Sequence, residues 1–110
     1  MKRFVVIRTS FEGLHRWPDA PPAQQYLADL HRHIFKVKVT MSVEHDDREL
    51  EFIAVKTKLN EFLLTSTFIT TDSCETMAVK IIGWLEINYG KREITVEVSE
   101  DGENGGIVCN

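Results

Sequence analysis

At 110 residues the chain is sized for one domain around a single hydrophobic core. Its 43% apolar and 27% charged residues suit a globular protein and not a disordered one. A net charge of -4, with lysines and arginines scattered, excludes a basic face for nucleic acid or for an anionic membrane.

The first element is a strand over residues 3–12, rich in Phe, Val, Ile and Thr. Its apolar stretch meets Arg8 too early for a signal peptide, and no apolar run nears the ~18 residues that span a bilayer. Cys74 and Cys109 lack CxxC spacing and are expected as reduced thiols, so the expected location is cytoplasmic. Pro18, Pro21 and Pro22 then mark a loop. Next comes the clearest strand, where Phe35, Val37, Val39, Met41 and Val43 alternate with Lys36, Lys38, Thr40 and Ser42. His31 and His33 extend the odd register and should share the apolar face.

After the polar turn at His45, the steps from Phe52 to Val55, Leu59 and Phe62 predict one face of a helix. A second helix is expected to open at Asp72, with Glu75 completing a capping box, to bury Met77, Ile81, Trp84 and Leu85, and to end at Gly90. Residues 92–98 alternate again, and Gly102, Gly105 and Gly106 are read as a turn into a short strand at residues 107–109. The expected fold class is α+β, in the order ββααββ. It is a four-stranded antiparallel sheet with both helices on one face.

Three of the four histidines can converge. His31 and His33 sit two apart on one strand, so their rings lie on one face, roughly 7 Å apart at the backbone. A hairpin-like return would bring His15, placed just after the first strand, to the pair. Three imidazoles with a fourth position open describe a catalytic metal site. Spacing does not choose zinc over nickel or copper. His45, in its polar turn, is assigned no role.

The stretch Phe11-Glu12-Gly13-Leu14-His15-Arg16 is similar to the first zinc motif of the 6-pyruvoyl-tetrahydropterin and 6-carboxytetrahydropterin synthase family. Leu30-His31-Arg32-His33-Ile34-Phe35-Lys36-Val37 resembles that family's Leu-His-Gly-His motif and its following strand. Glu51-Phe52 before Val55-Lys56 resembles its Asp-Phe and Leu-Lys, and Ser73-Cys74-Glu75 its Thr-x-Glu. Ser99-Glu100-Asp101 looks like its Glu-Thr segment. The resemblance implies a single domain over residues 1–110 with the tunnelling fold, and Zn2+ on His15, His31 and His33. It also implies a pterin- or purine-like ligand anchored by Glu100, with Ser73 and Glu75 as further binding residues. A ring-like homo-oligomer is implied too, with sites between subunits and Ser73 or Glu75 supplied by a neighbour.

The departures concern catalysis. Leu27 stands where the family has its cysteine, and no histidine follows His45 to supply its aspartate–histidine pair. The connection over residues 64–71 offers only Ser66 and threonines. Arg32 replaces the glycine between the zinc ligands, on the opposite face, and Asp29 is a candidate substitute base. Three readings follow: a zinc-dependent lyase-type enzyme with altered chemistry, a module that sequesters a purine- or pterin-like ligand, and a structural oligomer whose histidines only pack.

Overall fold

The computed structural model describes residues 1–65 and 67–110; Ser66, the hydroxyl considered above, lies outside the described residues. The elements run β1 (Arg3–His15), a 3-10 segment (Pro22–Ala28), β2 (His31–Val43), α1 (Phe52–Leu64), α2 (Cys74–Tyr89), β3 (Ile94–Glu100) and β4 (Asn104–Cys109). The strands form one antiparallel sheet in the order β1-β2-β3-β4, with both helices inserted between β2 and β3. The order is thus β, 3-10, β, α, α, β, β, one element more than expected. Pro21 and Pro22 start the extra turn because a fixed φ and a missing N–H suit the first positions of a helix.

The sheet follows the period-two rule of the sequence. Phe35, Val37, Val39 and Met41 of β2 are buried, and so are Ile94, Val96 and Val98 of β3. They lie side by side because Met41 faces Ile94, Val39 faces Val96 and Val37 faces Val98. Helix α1 lies against β1, and α2 against β3 and β4. Val55, Leu59 and Leu63 of α1 join Met77, Ala78, Ile81, Ile82 and Leu85 of α2 in one continuous core with these strands. Burial of these rows is the main force holding the helices to the sheet.

Several local expectations are corrected. Phe52 is 57% exposed, because it opens α1 and the buried stripe starts at Val55. Trp84 is only half-buried and stacks on Phe62 with ring centroids 4.9 Å apart. The cap of α2 is Ser73 and not Asp72: its Oγ accepts from the Thr76 N–H. Asp72 is instead 5% exposed, accepts from the Ile69 N–H at 3.0 Å and pairs with Lys80 Nζ at 2.6 Å. A carboxylate that buried needs such partners to stay charged. Gly90 does end α2, its N–H bonding Glu86 C=O.

The turn between β3 and β4 is tighter than the glycines suggested. It occupies residues 101–103, and Gly105 and Gly106 are strand residues of β4. Gly106 is needed for close approach, since a Cβ there would lie 2.8 Å from Glu75 Cγ. The start of α2 can therefore lie directly over β4. Among the described residues no helix is long and apolar enough to cross a membrane.

Candidate metal centre

Strand β1 runs three residues further than its composition suggested, so His15 is part of the strand and not of the loop after it. The register then fixes the geometry. His15 pairs directly with His31, and His33 pairs with Gly13 two positions along. All three imidazoles project from the face that carries the core, and one nitrogen from each lies within 4.8 Å of the other two. His15, His31 and His33 thus form a group that could hold a metal ion.

The rings rest on Phe35, whose centroid is 5.2 Å from His15 and 5.8 Å from His33. Gly13 makes room for that ring: a Cβ there would lie 3.1 Å from Phe35 Cε2. The aromatic floor and the imidazoles therefore form one packed unit at the end of the sheet.

Hydrogen bonds set which nitrogen faces inward. His31 Nδ1 lies 2.7 Å from the Asp29 carbonyl, and His33 Nδ1 lies 2.7 Å from Asp101 Oδ2. Carbonyl and carboxylate oxygens only accept, so in the neutral rings both Nδ1 atoms carry the proton and both Nε2 atoms keep a lone pair. This is the outer-shell pattern that orients imidazole ligands. His15 Nε2 and His33 Nε2 are buried and have no hydrogen-bond partner. Burial lowers the His15 pKa, against the opposing charge of Glu100 and with the help of His31 and His33. Its neutral, metal-binding form thereby persists to lower pH.

Glu100 stands beside the triad. It pairs with Phe35 in register, extending the row of Val96 and Val98 on the same face. Its oxygens lie 3.2 Å from His15 Nε2 and 3.4 Å from His33 Nε2. Next to it opens a cavity of about 310 Å³, lined by His15, His31, Trp17, Leu27, Glu75 and Glu100 among others. Ser73 and Glu75 line this cavity from the same chain as the histidines.

Other expectations resolve as follows. Asp29 serves through its backbone carbonyl, and its exposed carboxylate is not in the cavity wall. Arg32 points to the opposite face and pairs with Glu12 at 2.6 Å. His45 is exposed. Leu27 lines the cavity and gives that part of its wall an apolar side chain.

Three participants escaped the sequence reading. Trp17 sits in the proline-rich segment, where nothing distinguishes it from loop. Cys74 lines the cavity, but burial, with the charges of Glu100 and Glu75, pushes its thiol up to about 11. It is a thiol at neutral pH and not a ready nucleophile. Asp101 looked like one member of an acidic run. Its carboxylate bonds both His33 and the Ile34 N–H at 2.9 Å, and its backbone N–H donates to the Ile34 carbonyl at 2.7 Å.

Asp101→Asn tests that role. Asparagine also tolerates the positive φ of 56° found here. It offers one acceptor oxygen to two donors, so either His33 or Ile34 faces an amide NH2. Affinity for a divalent metal should fall about 10–100-fold. The bonds to His33 and to Ile34 also hold the Asp101 carboxyl below its ordinary pKa. Its contribution to stability is therefore complete above the unfolded-state pKa and is lost as pH falls through the lower folded value. A variant with native metal affinity and an unchanged acid-unfolding profile would show that Asp101 does not orient His33.

No protein-family model matches the chain, and no curated protein matches it.

Proposed function

We propose that this chain is a zinc protein whose centre, His15, His31 and His33, opens into a pocket for a pterin- or purine-like small molecule. One observation carries the metal reading: two buried Nε2 atoms without hydrogen-bond partners, on rings whose mutual spacing suits one ion. Leaving such atoms unpaired is costly, and a cation ligated by both removes the cost. Zinc fits the neutral nitrogen donors and, once bound, supplies Lewis-acid polarisation of a substrate oxygen.

The pocket itself supports the ligand class. About 310 Å³ is room for one small ring system. Trp17 and Leu27 give it apolar wall, while Glu75 and Glu100 give carboxylates that accept N–H bonds from a cyclic amidine edge. In the enzyme reading these two carboxylates are also the groups able to move a proton, since Asp72 is tied to Lys80. The fold is then of the tunnelling type, with copies joined along the free edges of β1 and β4 into a homo-oligomer.

A second reading, a module that holds its ligand unchanged, is favoured by Leu27 and by the protonated Cys74 thiol in the cavity wall. Elemental analysis of native protein across its gel-filtration peak tests the proposal. About one zinc per chain is expected, in an oligomeric peak. Dihydropterin triphosphate then separates the two readings, by turnover or by release unchanged. Folded native protein without zinc would end the enzyme reading and leave the binding module.

A further inference from the structure

The proposed zinc centre has three nitrogen donors, and a carboxylate lies beside them. Among the described strand residues, Glu100 is the one carboxylate that the register puts on the triad's own face, at the end of the apolar row Ile94, Val96 and Val98. Its side chain is half-buried at the mouth of that row. Among the described residues the nitrogens closest to its oxygens belong to two imidazoles, His15 and His33.

Those contacts do not work as ordinary hydrogen bonds. Both Nε2 atoms lack a partner with hydrogen-bond geometry although a carboxylate oxygen lies 3.2 or 3.4 Å away. In neutral His33 the proton is on Nδ1, held by Asp101, so the Nε2 lone pair faces the oxygen lone pairs. Two acceptors face each other, and a cation between them turns that repulsion into attraction. The spacing suits one. Two ligand atoms bound at about 2.0–2.2 Å around a tetrahedral zinc lie about 3.4 Å apart.

We infer that Glu100 is the fourth ligand of the metal, closing a three-histidine, one-carboxylate site; the inference rests on the zinc reading above. The three imidazole nitrogens are mutually close, and the carboxylate flanks them. Ligation therefore asks Glu100 to turn toward the common point, and a side chain 35% exposed is free to do so. Its negative charge offsets half of the dication's charge, which three neutral imidazoles do not. A molecule entering the cavity then reaches the metal by displacing Glu100. Anchoring the ligand ring and binding the metal become alternative uses of the same carboxylate.

Glu100→Gln and Glu100→Ala, loaded with Zn2+ and with Co2+, test this. Glutamine keeps the shape and guards against a folding defect in the alanine protein. Zinc affinity measured against a chromophoric chelator should fall on the order of 10²-fold in both. Azide added to the Co2+ forms should bind the variants, with a new absorption band, and bind native protein weakly. Zinc bound equally tightly by native and variant proteins would overturn the Glu100 assignment and leave the histidine centre standing. Azide binding to native protein as readily as to the variants would overturn it as well, placing Glu100 near the metal but not on it. Native protein that takes up no metal would remove the assignment together with the zinc reading.

Discussion

His31→Ala is expected to lower zinc affinity on the order of 10²–10³-fold, taking ~10–16 kcal/mol for a structural zinc shared among four ligands. With the metal removed from both proteins, its thermal midpoint should stay close to native. The two effects separate because of where His31 sits. It is the first residue of β2, half-buried, and its Nδ1 is satisfied by the nearby Asp29 carbonyl. It lies outside the core that begins at Phe35. Removing the ring deletes a donor without opening a cavity, and substitutions of that kind are usually mild. Chelator competition, and a thermal melt of the metal-free proteins, check both halves. Full zinc occupancy in the variant would mean that two histidines and Glu100 hold the metal alone.

Phe35→Ala should do the reverse and unfold the site from beneath. Phe35 is 0% exposed, stacks on Phe11 with centroids 5.2 Å apart, and lies edge-on to His15 and His33. Truncating a fully buried phenylalanine costs about 3–5 kcal/mol, in lost transfer energy and in the cavity left behind. Against a total of about 5–15 kcal/mol, that brings the fold close to its limit and lowers the midpoint by roughly 12–25 °C. Metal affinity should fall too, because His15 and His33 lose the surface that fixes their rings. Phe35→Leu, which fills part of the volume, should recover much of both. Equilibrium denaturation is the measurement, and a loss below about 1 kcal/mol would mean that the neighbours collapse fully into the space.

The two variants probe different links of one chain of causes. The alternation from Phe35 to Val43 builds the strand, the strand aims His31 and His33, and the floor below them sets their tilt. The site is therefore as rigid as the end of the sheet. It also explains why the cavity opens beyond the last apolar row and not in the middle of the core.

How much of this was legible varied with distance along the chain. The strand through residues 35–43 could be read directly, because the pleat sends successive side chains to opposite faces whatever their partners. The same rule placed His31 and His33 on the core face. The helical stripe at Val55 and Leu59 was equally local, whereas Phe52 was misassigned, since periodicity does not say where a helix starts. The cap was missed by one residue: Asp72 and Ser73 are both good N-cap residues, and the choice fell to burial. Asp72 is drawn inward by Lys80 and the Ile69 N–H, leaving Ser73 to cap. Glycine also misled at positions 105 and 106, where close packing on Ser99 and Glu75 requires it in a strand, not in a turn.

By itself the sequence determined the alternating rows, the two helices, the antiparallel α+β class and the three histidines as the chemical interest of the chain. Those properties follow from steric rules acting over two to four residues. The tertiary structure alone decided that His15 faces His31 across the pair, and that Asp101 holds His33. It alone placed Glu100 against two imidazoles and put Cys74, Trp17 and Leu27 in one cavity wall. Each of these depends on strand register and on which elements stack. Register and stacking are settled by the packing of the whole core, which no short stretch of sequence carries.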